Sequence, residues 1–168
     1  MKIAKVREVR TPVRGTSQSA GLDFYCPTFN KSFIDKYIEM NGTAPIAEME
    51  NHRSITLSPH ERVLVPSGIK VNFEGEPKAL IAFNKSGVAS KQGLTKLAEV
   101  VDADYCGEVF INVVNTGNES VKIKENEKLI QFLLIPVFYD EIELVDEKDI
   151  HPKETERGDG SRGSTDKK

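Results

Sequence analysis

Cysteine is scarce in this 168-residue chain: Cys26 and Cys106 are the only two, far apart and outside any C-x-x-C unit. That excludes a disulfide framework and a cysteine zinc site, and it fits a reducing compartment. The three histidines, His52, His60 and His151, lack H-E-x-x-H spacing, so each reads as a surface residue rather than a metal ligand. Charge of one sign is also missing. The 23 basic and 26 acidic residues mix to a net −3, which removes any general pull toward nucleic acid. No run approaches the roughly 20 apolar residues of a membrane span; the greasiest stretch, Leu129 to Phe138, is broken by Gln131 and Pro136. The amino terminus, Met1 to Val6, lacks the continuous apolar region of a signal peptide. The expectation is a soluble, intracellular and cytoplasmic protein (host cytoplasm if the gene is viral) without a nucleic-acid or membrane partner.

What is present is a series of short apolar runs between turn signals. Val63-Leu64-Val65 ends at Pro66-Ser67-Gly68, and Ile69-Lys70-Val71 follows. Then come Ala79 to Phe83, Val109 to Val114, Val121 to Ile123, Leu129 to Val137 and Ile142 to Val145. Most are four to eight residues long, rich in Val, Ile and Phe, and carry no helical period. That is the pattern of an all-β antiparallel fold, closed or two-sheeted. Residues 28–51 read differently. Phe33, Ile34, Tyr37 and Ile38 fall at helix-like spacing with Asn41-Gly42 as a stop, while a hairpin is the rival reading. This span is treated as an insertion. From Asp146 the chain turns polar, and residues 151–168 have the composition of a disordered tail, although Arg157 to Thr165 is dense in residues that wrap phosphates. The length suits one domain, residues 1–150, followed by an arm over 151–168.

Five segments carry candidate chemistry. In Ala20-Gly21-Leu22-Asp23-Phe24, Asp23 reads first as a turn or cap residue. In Asn84-Lys85-Ser86-Gly87-Val88-Ala89, a cation, a hydroxyl and a glycine follow a strand. That suits an anion site, or a solvated turn before a short helix. Val100-Val101-Asp102-Ala103-Asp104-Tyr105-Cys106-Gly107-Glu108 looks like a hairpin tip. If extended, it points Asp102 and Asp104 to one face, where two acids beside an aromatic suit proton abstraction and sugar packing. In Glu127 to Phe132, Gln131 interrupts an apolar strand and either faces solvent or hydrogen-bonds a partner. Arg157-Gly158-Asp159-Gly160-Ser161-Arg162-Gly163-Ser164-Thr165 is not a P-loop, because no Gly-Lys-Ser/Thr ends it.

In this order, from about Ala20 to Thr165, the five segments resemble the motifs of the trimeric dUTPase family. The third is the most specific, and the Arg-Gly-Asp-Gly…Gly-Ser-Thr tail the next. The resemblance implies a jelly-roll-type β-barrel, three chains around a threefold axis with shared sites, and Mg²⁺-dependent hydrolysis of dUTP to dUMP and pyrophosphate. By the same resemblance, Asp102 activates the attacking water, and Tyr105 packs on the deoxyribose and bars a 2′-hydroxyl. Backbone around Glu99 to Asp102, including Val100 and Val101, reads uracil. Lys85, Ser86, Gly87 and Gln131 contact phosphate. Asp23 supports the metal and water network, and Arg157, Arg162, Gly163, Ser164 and Thr165 belong to the arm that closes over the nucleotide. Mg²⁺ is expected on phosphate oxygens and waters, with no direct protein ligand assigned.

Three positions depart from the family pattern. Lys85 stands where Arg is usual and lacks its bidentate fork. Arg162 stands where a Phe stacks on uracil, a task a guanidinium also performs. Glu99 stands where a small Gly is common, which bears on uracil selection. A dCTP deaminase-like enzyme of the same fold and a dUTPase-like nucleotide-binding regulator are the alternative readings. The Asp-Ala-Asp-Tyr-Cys-Gly signature favours the pyrophosphatase over the first, and the complete motif set favours it over the second.

Overall fold

In a computed structural model, the structure describes residues 1–47, 53–98, 100–151, 153, 155, 158 and 160. Twelve strands are assigned: β1 (Lys2–Lys5), β2 (Leu22–Asp23), β3 (Ile46–Ala47), β4 (Ser54–Leu57), β5 (Arg62–Pro66), β6 (Ile69–Asn72), β7 (Lys78–Asn84), β8 (Leu94–Lys96), β9 (Val100–Val101), β10 (Phe110–Asn115), β11 (Val121–Lys124) and β12 (Ile130–Pro136). Three helices accompany them: α1 (Lys31–Asn41), α2 (Ser86–Gln92) and α3 (Glu147–Ile150). The chain divides into two units, Met1–Phe138 and Tyr139–Lys168.

Every strand pair among the described residues is antiparallel. The sheets run β1-β6, β5-β10-β8, β11-β4-β3 and β2-β12-β7-β9. Period-two burial explains why these segments are strands. Along β10, Ile111, Val113 and Asn115 turn inward while Phe110, Asn112 and Val114 are half-buried, the alternation of a sheet with one core face. Along β12, Ile130 and Phe132 are buried and Gln131 lies on the other face. Phe132 meets Phe24 with ring centroids 4.6 Å apart, and burying such a side chain stabilises by about 1.5–3 kcal/mol.

Within the span 28–51 the apolar spacing of residues 33–38 belongs to a helix, Lys31–Asn41, and the short strand Ile46–Ala47 that follows pairs antiparallel with β4. Asn30 caps α1 by accepting from the Phe33 amide at 3.0 Å, and Gly42 ends it at φ 72°, a conformation glycine adopts without strain. Phe33 and Tyr37, one turn apart, are the buried face. Phe33 packs on Phe29 at 4.8 Å, and the Tyr37 hydroxyl donates to Glu61 at 2.7 Å. The run Ile142 to Val145, read from sequence as a strand, forms none: Ile142 and Leu144 are almost fully exposed. Among the described residues of its own unit no strand offers it an edge to pair with. In the stretch read as polar tail, residues Glu147–Ile150 form a single helical turn.

Candidate active site

The sheet β2-β12-β7-β9 carries four of the five motif segments. Asp23 on β2 lies opposite Gln131 on β12, which lies opposite Phe83 on β7. Directly opposed residues share a face, so Asp23, Gln131 and Phe83 point the same way. Lys85, two residues beyond Phe83, continues that parity. Its ammonium donates to one oxygen of the Asp23 carboxylate, and the Lys128 ammonium lies 3.2 Å from the other. Asp23 itself is buried. Buried carboxylates need this kind of partner, because an unpaired charge out of water is costly. Asp23 is therefore an ion-paired anchor for two cations rather than a turn cap. Its hydrogen bond, the largest influence, holds the Lys128 ammonium above its ordinary pKa, and that cation also lies 5.1 Å from the Tyr25 ring.

Gln131 has a definite partner. Its amide donates to the Asn84 carbonyl at 3.1 Å, while the Asn84 side chain accepts from the Lys96 amide at 2.8 Å. Gly21 makes room for it, since a Cβ there would lie 2.3 Å from Gln131 Oε1 and 2.8 Å from its Cβ. The glycine of the first motif thus serves the glutamine of the fourth. Lys85 caps α2 in an extended conformation, Ser86 opens the helix, and a Cβ added at Gly87 would meet nothing within 4 Å. The second motif thus sets a cation at a strand end directly before a short helix.

The third motif builds a separate cavity of about 150 Å³, whose lining includes Val100, Val101, Asp102, Tyr105, Asn112 and Phe132. Val100 and Val101 lie on β9 opposite Ile81 and Leu80. The chain then turns: the Tyr105 amide donates to the Asp102 carbonyl at 3.3 Å. The segment is a turn and not extended, so alternation does not set the two acids on a common face; the short i to i+3 closure governs them instead. Both carboxylates are exposed, and neither has a hydrogen bond or ion pair among the described residues. The Tyr105 hydroxyl donates to the Glu108 carbonyl at 2.9 Å. Its ring lies over Gly107, where a Cβ would come 2.2 Å from the hydroxyl oxygen. Glu108 in turn accepts from Arg7 at 2.7 Å and from the Gly68 amide at 2.7 Å, which ties the hairpin to the barrel.

The two groups stand at different levels of the sheet. In the cavity lining Val100, opposite Ile81, shares the face of Gln131 while Phe132 turns to the other, and the Leu80 level of β7 is roughly 13 Å from the Asn84 level at 3.3 Å per residue. Arg157, Arg162, Gly163, Ser164 and Thr165 of the tail, and Glu99, lie outside the described residues. Sequence reasoning missed Lys128, Asn84 and Asn112. Asn112 carried the same signal as Gln131, a lone amide inside an apolar run. Lys128 and Asn84 carried none beyond their nearness to motif residues.

An antiparallel barrel with a solvent-open carboxylate and tyrosine around a small cavity, and a Lys-Asp-Lys cluster at a neighbouring strand end, defines a class equipped for small anionic esters. The chain belongs to the dUTPase family, whose model matches residues 46–166. A deoxyuridine 5′-triphosphate nucleotidohydrolase of Heliobacterium modesticaldum is 32% identical over 160 residues, covering 94% of this chain and 90% of that protein. Another from Wolbachia sp. subsp. Brugia malayi is 31% identical over 170 residues, covering 98% and 90%. Among solved structures, a mutant dUTPase of Staphylococcus bacteriophage 80alpha with dUpNHpp matches with TM-score 0.72 at 20% identity, over 98% of this chain and 96% of that one. A mutant dUTPase of phage phi11 of S. aureus, described with a structural Mg(II) ion, matches with TM-score 0.67 at 19% identity, over 88% and 97%. The jelly-roll-type barrel expected from the motifs is the fold these structures share.

Proposed function

We propose that this protein is a dUTP diphosphatase, hydrolysing dUTP to dUMP and pyrophosphate. The observation that carries the reading is the third-motif cavity, where the unpaired Asp102 carboxylate and the Tyr105 ring border one small space. Family membership across the chain supports it. A pyrimidine enters the cavity against the backbone of Val100 and Val101. Tyr105 packs on the deoxyribose and leaves no room for a 2′-hydroxyl. Asp102 holds a water and accepts its proton as the oxygen attacks the α-phosphorus. A placed carboxylate base of this kind contributes roughly 10²–10⁴-fold. The bond to the bridging oxygen breaks, and pyrophosphate leaves. Lys85, Ser86, Gly87 and Gln131 hold phosphate oxygens, and the arm residues Arg157, Arg162, Gly163, Ser164 and Thr165 close over them.

The donor set suits Mg²⁺ carried in by the substrate. Among the described residues no three His, Cys, Asp or Glu gather into a metal cage, and lysines occupy both oxygens of Asp23. Mg²⁺ favours phosphate oxygens and water over an all-protein cage, and bound there it would supply charge neutralisation for the leaving group. Asp23 acts at one remove, by fixing Lys85 and Lys128.

A homotrimer with shared sites is the assembly we assign, on the motif resemblance. No helix among the described residues is long and apolar enough to cross a membrane, and work on the cytoplasmic nucleotide pool fits this activity.

Hydrolysis of dUTP in ¹⁸O-water tests the chemistry. Label appearing in dUMP supports attack at the α-phosphorus; label confined to pyrophosphate contradicts it.

A further inference from the structure

We propose that Arg7, in the amino-terminal segment and outside all five motif segments, is a positioning residue for Tyr105: by clamping the Glu108 carboxylate it holds the hairpin that places the ring. This rests on the dUTP reading above, in which Tyr105 packs on the deoxyribose.

Between Val101 and Val109 the hairpin has little of its own to hold it. Val101 pairs with Leu80. Val109 is fixed on both sides, its amide donating to the Ile69 carbonyl at 2.8 Å and its carbonyl accepting from the Ser67 amide at 3.0 Å. Among the described residues, the stretch between them forms one main-chain hydrogen bond, Tyr105 to Asp102, and a local contact of the Cys106 thiol with the Asp104 carbonyl at 3.4 Å. The remaining ties converge on Glu108. Its carbonyl accepts from the Tyr105 hydroxyl at 2.9 Å. Its carboxylate accepts from Arg7 Nε at 2.7 Å, from Arg7 Nη2 at 3.0 Å and from the Gly68 amide at 2.7 Å. The same residue borders the cavity together with Asp102 and Tyr105.

An arginine fork that meets both carboxylate oxygens fixes an angle as well as a distance. The Glu108 side chain is only 13% exposed, so water screens this contact less than at an open surface. The amino-terminal segment is itself seated. The Val6 amide donates to the Gly68 carbonyl at 2.8 Å, and a Cβ on Gly68 would lie 2.7 Å from Val9 Cγ1 and 3.2 Å from Arg7 Cβ. That close approach lets Arg7 reach a residue 101 positions along the chain. Strand β10 does not need the fork for its register, which its pairing with β5 and β8 sets. The fork acts instead on the one residue whose carbonyl receives the Tyr105 hydroxyl. Without Arg7, a mostly buried carboxylate keeps the Gly68 amide alone and turns toward water. The turn at Gly107 and Glu108 then relaxes, and the ring bonded to it moves off the sugar position.

Steady-state kinetics on dUTP and UTP, with pyrophosphate release as readout and a melting curve for each variant, separate positioning from structural support. Arg7→Met keeps the stem and removes the fork. It is expected to lower the dUTP-to-UTP ratio of kcat/KM about tenfold, mostly through a higher KM for dUTP, with kcat on dUTP within about threefold of the parent. Arg7→Lys keeps the charge without the fork, and its ratio should fall between the two. Arg7→Met combined with Glu108→Gln removes the stranded charge as well. Because the two residues act as one unit, the double variant should lose no more selectivity than Arg7→Met alone. A lower melting temperature with a parental ratio makes the pair a structural tie and overturns the proposal. So does a double variant whose loss equals the product of the Arg7→Met and Glu108→Gln losses. If Arg7→Met does not fold, Arg7→Lys carries the test: a lowered ratio supports the role and a parental one overturns it. Unaltered protein that cleaves dUTP and UTP alike removes the sugar-gate reading and Arg7 with it. A selective parent with unmoved ratios in the variants removes the role of Arg7 alone.

Discussion

Lys85 and Asp23, 62 residues apart in the chain, join ammonium to carboxylate directly, and Lys128 closes on the other carboxylate oxygen at 3.2 Å. The contact links the first, second and fourth motifs through one buried acid. Lysine lacks the planar fork of arginine, so its direction has to come from what it touches, and Asp23 provides that. Asp23→Asn removes the charge and keeps the shape. The loss of two charge-assisted contacts, screened because both lysines are partly exposed, is expected to cost about 1–2 kcal/mol. A melting curve should fall by several degrees, and kcat/KM for dUTP should fall about tenfold through misplaced phosphate contacts. Unchanged kinetics at the lower melting temperature would confine Asp23 to stability.

Gly107 and Tyr105 give a sharper separation of stability from function. A Cβ at Gly107 would sit 2.2 Å from the Tyr105 hydroxyl oxygen, and the obstructed atom is the far end of a side chain that can swing. Gly107→Ala should therefore leave the melting temperature within a few degrees. It should also displace the ring from the sugar position, raising KM for dUTP and letting UTP compete. A variant that still rejects UTP as the parent does would show that Tyr105 does not gate the sugar from this position.

Among the described residues Asp102 is exposed and unpaired, so changing it should disturb little else. Asp102→Asn is expected to lower kcat by roughly 10²–10⁴-fold, while calorimetric binding of a non-hydrolysable dUTP analogue with Mg²⁺ stays within a fewfold of the parent. Retained turnover would remove Asp102 as the base.

Acid stability should report the anchoring of α1. Burial pushes the Glu61 carboxyl up, but hydrogen bonds from Tyr37, Ser58 and Thr43 outweigh it and hold the group below its ordinary value. A carboxylate depressed in the native state stabilises fully above its unfolded pKa, near ~4.3, and loses that contribution as pH falls through the native value. Melting temperatures from pH 6 down to pH 3 should drop more steeply for the parent than for Glu61→Gln, with the variant less stable at neutral pH. Parallel curves would contradict the assignment.

Much of the barrel was legible because strands with one buried face write their period into the chain, as β10 and β12 do. For α1, Phe33, Ile34, Tyr37 and Ile38 span little more than one turn, too short a stretch to separate helix from hairpin even with Gly42 as a stop; the Asn30 cap on the Phe33 amide is what the structure adds. The run Ile142 to Val145 carried a strand pattern, and a strand needs a partner edge that sequence cannot supply. At the site, Asp102 and Tyr105 stood out because their motif is dense and local. Lys128 and Asn84 did not, because their roles come from residues brought opposite them by strand register. The partnering of Gln131 likewise depends on Gly21 and Asn84, 110 and 47 positions away in the chain.

Initial rates of pyrophosphate release are the sharpest test of a preference for dUTP. The assay sets dUTP, dCTP, dTTP and dATP side by side at equal concentration with Mg²⁺. Cleavage of dUTP is expected to be far faster than that of any other nucleotide, with activity lost when the metal is chelated. Rates on dCTP or dTTP equal to those on dUTP would contradict it.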